Sequence, residues 1–171
     1  MIVISIDPGL TGACSVLDHN GLRAVFDLPT MPIPGIGPTA LVRTKIDGVA
    51  FKNLLLKHCP AGESVRAVIE AVGTMGGANN AVQTQGSLLR SLGAIETVLE
   101  CLGIRPTYAN PQAWKRFFGL IDSADSQPQR KAKAMECARR LYPTCRDIAR
   151  VKDHNRAEAI LIGHWMLREI A

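Results

Sequence analysis

The sequence predicts an α/β fold built on a mixed sheet. Short apolar runs at residues 2–6, 13–17 and 22–28 follow one another with only turn residues between them. Two more, at 65–70 and 105–109, are each preceded by a helical stretch, and from residue 111 onward the pattern is helical. A meander first and helices after gives the order βββαβαβααα, in which antiparallel neighbours open the sheet and helical crossovers extend it.

Each element has a local reason. Ile2-Val3-Ile4-Ser5-Ile6 suits a central strand covered on both faces. The strands Ala13–Leu17 and Leu22–Leu28 are joined through Asp18-His19-Asn20-Gly21, whose Asn-Gly pair is a strong hairpin signal. Pro29, Pro32, Pro34 and Pro38 with Gly35 and Gly37 predict an exposed loop without regular structure over 29–38. Asp47 precedes a helix carrying Val49, Leu54, Leu55 and Leu56, which ends before Pro60, and strand 65–70 follows. Residues 73–80 form a glycine-rich loop.

The clearest helix comes next. Leu88, Leu92, Ile95, Leu99 and Leu102 recur at steps of 4, 3, 4 and 3, with Leu89 and Val98 widening the stripe and Gly103 closing it. Such a helix can bury one face on the sheet and offer another to a second subunit. Pro111 starts a brief helix in which Trp114, Phe117 and Phe118 fall at core spacing. Ser126 and Pro128 open a basic helix with Lys131, Lys133, Arg139 and Arg140, stopped by Pro143. A last helix spans 155–170. No repeat or boundary divides the 171 residues, so one domain is expected over 1–171.

Lys and Arg outnumber Asp and Glu by 20 to 15, a net charge of +5. That balance favours a polyanion, nucleic acid first. The five cysteines are dispersed without a C-x-x-C pair, which argues against a zinc or redox motif and for reduced thiols in a cytosolic protein. No basic-then-apolar leader and no 18-residue apolar run is present, so neither export nor membrane spanning is expected.

The acids carry the chemistry. Asp7 ends the first strand in a glycine-flanked turn, Glu70 ends the strand at 65–70, and Asp153 and Glu158 open the last helix. Each alone has an ordinary use: capping a turn, pairing with a surface arginine, capping a helix. Together they offer carboxylates from three elements with little cationic company, and carboxylates that crowd must protonate or bind cations. If the fold gathers them, the natural occupant is Mg²⁺ and the natural chemistry phosphoryl transfer, with Asp7 placed to bridge two ions. The spacing of five between Asp153 and Glu158 is not one face of a helix. Asp153 therefore belongs to the preceding turn, and Glu158 reaches back from within the helix.

Five motifs stand in order: Asp7-Pro8-Gly9-x-x-Gly12; Glu70 at a strand end; the helix Gly86 to Glu96; Pro111-x-x-Trp114-Lys115-x-x-x-Gly119; and Lys152-Asp153-His154-Asn155-Arg156-Ala157-Glu158-Ala159. In that sequence they resemble the RuvC-type Holliday junction resolvases, the phage and prophage branch more than the bacterial housekeeping one. The resemblance implies a ribonuclease-H-like fold, a homodimer, and Mg²⁺ or Mn²⁺, two per active site, held by four acidic positions. Asp7 and Glu70 match two of these directly, and Glu158-Ala159 matches the last. The residue three before Glu158 is Asn155 where the family has Asp or His, so Asp153 supplies the remaining acid from a shifted place, with His154 and Asn155 as alternatives. The aromatic wedge that often follows the second acid is replaced by Met75 in the glycine loop. Lys115 matches a basic position that binds the scissile phosphate or the charge developing on it.

The activity implied is structure-selective: hydrolysis of four-way DNA junctions by paired nicks, in the bacterial cytosol and possibly phage-encoded. A broader branched-DNA or flap endonuclease, and a non-catalytic junction-binding protein, are the alternatives within reach. An ATPase of the actin–hexokinase type also opens with an aspartate–glycine turn, but needs a second domain for which this chain has no room.

Overall fold

The computed structural model describes residues 1–33, 43–73 and 82–170. The strands are β1 (Ile2–Asp7), β2 (Ala13–Asp18), β3 (Gly21–Asp27), β4 (Thr30–Ile33), β5 (Arg43–Ile46), β6 (Val65–Glu70) and β7 (Pro106–Ala109). The helices are α1 (Gly48–His58), α2 (Val82–Cys101), α3 (Pro111–Phe117), α4 (Gln127–Leu141) and α5 (His154–Glu169). A five-stranded sheet has the order β3-β2-β1-β6-β7. Its β1–β2 and β2–β3 pairs are antiparallel, and β1–β6 and β6–β7 parallel. The mixed sheet flanked by helices is thus the architecture that the element order predicts. Gly21 closes the first hairpin at a φ of 121°, a left-handed backbone that favours glycine.

Strand alternation decides the layering. Side chains two apart share a face, so Ile4 and Ile6 of β1 and Ala67 and Ile69 of β6 point one way, into a core with Phe51 and Leu55 of α1 and Ile95 and Leu99 of α2. Val3 and Val68 point the other way, against Ile160 and Leu161 of α5 and Ala134 and Ala138 of α4. Asp7 and Glu70 belong by parity to that second face. They extend the rows of Val3 and Val68 to the strand ends, where the α5 side of the sheet opens to solvent.

The close approach of α5 to β1 and β2 depends on small residues. A Cβ added at Gly163 would sit 2.3 Å from Leu17 Cδ1 and 2.5 Å from Ser5 Oγ. Ser5 Oγ lies 2.7 Å from the Ala159 carbonyl oxygen and 2.6 Å from Ser15 Oγ. One hydroxyl thus donates to the helix and the other to its neighbour, so both buried groups are satisfied. Gly163→Ala should overpack this contact at a cost of about 1–3 kcal/mol. Thermal unfolding should then show a fall of roughly 2–4 °C per kcal/mol. Gly86→Ala on α2, where a Cβ meets nothing within 4 Å, should leave the protein as stable or slightly more so. Equal melting temperatures for the two variants would contradict the packing argument.

Two sequence expectations need correction. Within the proline-rich stretch, β4 is a regular strand, paired antiparallel with β5 so that Pro32 lies opposite Thr44. A two-stranded ribbon has open edges on both sides, where a residue without an N–H is tolerated. Its base is anchored by Leu28 and Ile46, both buried in the α1–α2 core. Phe117 is not a core residue: it is 51% exposed, whereas Trp114 is fully buried. Most of the expected glycine loop, residues 74–80 with Met75, lies outside the described residues. The caps are as expected, with Asp47 accepting from the Val49 and Ala50 N–H groups at 3.1 and 3.0 Å. Among the described residues, no helix is long and apolar enough to cross a membrane.

Candidate active site

The parallel register of β1 and β6 pairs Ile6 with Ile69, which brings Asp7 and Glu70 to the same end of neighbouring strands. Above them runs α5, seated by Gly163 and the two serines, and its second turn carries Glu158. Carboxylate oxygens of Asp7, Glu70 and Glu158 lie within 4.8 Å of one another. The turn after β1 is closed by the Gly12 N–H donating to the Gly9 carbonyl at 3.1 Å. At Gly12 an added Cβ would stand 2.2 Å from the Asp7 carbonyl oxygen, so glycine there is a steric requirement of the turn that presents Asp7.

Burial pushes the Asp7 carboxyl well above the ordinary carboxylate range, and the charges of Glu70 and Glu158 push it further. Lys115 and Lys131 pull against that rise. Glu70 and Glu158 are also raised, chiefly by burial, with Lys115 again opposing. At all three carboxyls burial thus outweighs the two lysines beside them. The site accepts positive charge.

Lys115, on α3, stands 3.7 Å from Glu70 Oε1 and 4.9 Å from the centre of the Trp114 ring. Trp114 is buried but not inert, because its Nε1–H donates to Glu70 Oε1 at 3.1 Å. It holds the carboxylate at the end of β6. Reading Trp114 from the sequence as core alone misses this, and only the indole N–H could have signalled it, since a buried indole seeks an acceptor. Lys131 is the second residue missed. From α4 its charge reaches Asp7 and Glu158, and its Nζ lies 2.9 Å from His154 Nε2. The lysine donates, so His154 is neutral at that nitrogen. Burial, with Lys131 beside it, holds the His154 pKa down.

The other expected acid stands apart. Asp153 occupies a 3₁₀ turn, Val151–Asp153, just before α5. It is 4% exposed. Its carboxylate accepts from the Arg150 backbone N–H at 2.8 Å and from the Arg150 guanidinium at 2.8 and 3.1 Å. That pairing lowers its pKa, the opposite of the shift in the three gathered acids. The turn is as the spacing predicts, but the charge is answered by arginine. Asn155 donates through Nδ2 to the Thr11 carbonyl, tying the start of α5 to the turn behind Asp7. Arg156 binds both oxygens of Asp27 at 2.6 Å and ties the same helix to β3.

Compared with known proteins, the chain matches no family model and no curated sequence. Among solved structures it is similar to Thermus thermophilus RuvC in complex with Holliday junction substrate, with a TM-score of 0.58, 13% identity, and coverage of 100% of this chain and 97% of that one. A second Thermus thermophilus RuvC structure matches with a TM-score of 0.56 at 12% identity, over 99% and 96% of the two chains. The fold is that of RuvC. At such low identity the likeness is one of fold, with few side chains in common. The RuvC fold therefore accounts for the sheet and its helices, and the chemistry of this chain is to be read from its own site.

Proposed function

We propose that this protein is a divalent-metal-dependent endonuclease that resolves four-way DNA junctions by paired nicks. The meeting of Asp7, Glu70 and Glu158 at one end of the sheet, with Lys115 and Lys131 alongside, carries the reading. The donor set fits Mg²⁺ or Mn²⁺. It is all oxygen, as hard cations require, and burial raises the pKa of each carboxyl, so that a cation placed among them is favourable. Asp7, Glu70 and Glu158 would hold the metal, with Asp7 the shared ligand if two ions bind. A bound divalent cation supplies charge stabilisation to the phosphate oxygens and a more acidic water for attack.

The chain's residues do the rest. Water adds to the phosphorus, the bond to the 3′ oxygen breaks, and that oxygen takes up a proton, leaving 5′-phosphate and 3′-hydroxyl ends. Lys115 faces the negative charge that builds on the phosphoryl oxygens, and Trp114 keeps Glu70 aimed at the site. Asp153, held by Arg150, sets the start of α5 and so the position of Glu158. Paired nicks need two sites. Ile95 and Leu99 are consumed by the chain's own core, but Leu89 is 49% exposed on α2, which supports an isologous contact there in a homodimer. The setting we infer is the bacterial cytosol.

The test is incubation of a labelled synthetic four-way junction, a flap and a linear duplex with Mg²⁺ or with EDTA. Symmetric cutting of the junction with Mg²⁺ alone is expected. Equal cutting of the flap would move the assignment to a broader branched-DNA nuclease. An intact junction under all conditions would sink it.

A further inference from the structure

A cavity of about 980 Å³ lies at the opposite end of the sheet from the carboxylates, enclosed by the β2–β3 hairpin, the residues after α4 and the last turns of α5. Its volume is at the top of the roughly 300–1,000 Å³ of small-molecule sites. Along α5 the stretch from Glu158 to Arg168 rises about 15 Å. A small occupant here does not reach the phosphate that Glu158 faces, and no step of the proposed hydrolysis uses the cavity. One polar group on its wall is set in advance. The His164 ring stands between Phe118 and Tyr142, with centroids 6.0 and 5.8 Å away. Its Nδ1 lies 2.8 Å from the Tyr142 hydroxyl. Burial pushes the Tyr142 pKa up to about 12 and, with Arg168 beside it, holds that of His164 down. The phenol and the imidazole are therefore both neutral.

The phenol has no other acceptor among the described residues, so it donates to Nδ1 and the ring's own proton sits on Nε2. Among those residues no buried side-chain nitrogen lacks a partner, and Nε2 has none, so its N–H opens onto the cavity that the ring lines. Arg168, one turn further along the same face of α5, brings a charge that reaches both rings. The acids of the wall are engaged elsewhere. Asp18 accepts from the Asn20 N–H at 2.7 Å and from Arg23 at 2.6 Å, and Asp147 lies near Arg156. Leu22, Leu141 and Leu167 supply apolar wall. We propose that this cavity binds a small organic anion, its carboxylate or phosphate held by His164 Nε2–H and the Arg168 guanidinium, its apolar body resting on the three leucines. A fixed N–H beside a guanidinium forms charge-assisted bonds with an anion, and a bare ion would leave the apolar wall uncovered. The proposal does not depend on the nuclease reading.

The experiment is calorimetric titration of the whole protein with AMP, with naphthoate and with inorganic phosphate. At least one of the two organic anions should bind, AMP marking a phosphate ligand and naphthoate a carboxylate, and inorganic phosphate should bind roughly tenfold more weakly or less. Arg168→Ala and His164→Leu should each lower that affinity by roughly tenfold or more, the size of one charge-assisted hydrogen bond. His164→Gln, whose amide N–H can stand where Nε2–H does, should retain most of it. Arg168→Ala, a change at an exposed position, should bind and cut the four-way junction as the wild type does. Failure of both organic anions to bind, phosphate binding as tightly as they do, or affinity that survives Arg168→Ala overturns the proposal. Junction binding lost in Arg168→Ala also overturns it, since the positive wall would then serve DNA. A wild type that binds the anion and cuts no junction overturns the nuclease reading alone.

Discussion

Asp7→Asn should reduce junction cleavage by roughly three orders of magnitude or more, while binding the junction at least as tightly as the wild type. Asp7 is one of the three gathered carboxylates, and the amide keeps its shape while removing the charge that draws a cation. Loss of a negative charge beside phosphates favours DNA binding, so a fall in affinity would count against the assignment. The same substitution should stabilise the protein in EDTA. Glu70 and Glu158 both push the Asp7 carboxyl upward on top of its burial, so the ionised trio opposes folding. An uncharged side chain relieves that opposition by about 0.5–2 kcal/mol, the usual size of a function-for-stability exchange. A variant both inactive and less stable in EDTA would mean that Asp7 serves the turn and not a cation.

Mg²⁺ or Mn²⁺ should raise the melting temperature of the wild type and leave that of Asp7→Asn or Glu158→Gln nearly unchanged. At a hundred times the dissociation constant, binding to the folded state alone contributes about 2.7 kcal/mol. For a chain of this size that is roughly 5–10 °C. The pH dependence follows from the same three acids. A carboxyl whose pKa is higher folded than unfolded binds its proton more tightly in the folded state. Its contribution to stability is present in full below the unfolded value, near 4, and is lost as pH rises through the folded value. Asp7, Glu70 and Glu158 all shift this way. In EDTA their share of the stability should fall from about pH 4 upward. Saturating Mg²⁺ should flatten or reverse that slope, because the cation prefers the ionised trio. Asp153 acts oppositely, since Arg150 lowers its carboxyl. Its stabilisation is present above the unfolded value and lost as pH falls through the folded one. Melting curves from about pH 2 to 8, with and without Mg²⁺, separate the two behaviours, since the Asp153 share changes only below about pH 4.

Much of the site is legible in the sequence. Asp7 and Glu70 each end an apolar run, and alternation alone assigns them to one face once the two strands are neighbours. Glu158 needs more. Its distance from Asp7 depends on how closely α5 rests on β1 and β2, which is set by Gly163, Ser5 and Ser15. In the sequence these are three small residues with no visible relation. Asp153 shows the reverse difficulty. An acid at a helix start looks available, yet Arg150, three residues earlier, takes its carboxylate because a 3₁₀ turn brings that pair together. Lys131 reads as one of several basic residues on one helix, with nothing in the sequence to join it to the acids. Only the packing of α4 against α5 brings its charge onto Asp7 and Glu158.

The β4–β5 ribbon illustrates a different limit. Proline density is a local signal against regular structure, but Leu28 and Ile46 at the base of the ribbon are held by a core that local signals do not describe. The exposure of Phe117 is hidden for another reason: helical spacing says that residues share a face without saying which face is covered. By itself the sequence determined the order of the helices and of the five strands of the main sheet, the strand ends that carry Asp7 and Glu70, and the caps, since each follows from torsional preference and periodicity within a few residues. The tertiary structure alone decided which acids meet, which lysines answer them and what lies beside them, because charges interact through space over a few ångströms, whatever the length of chain between them.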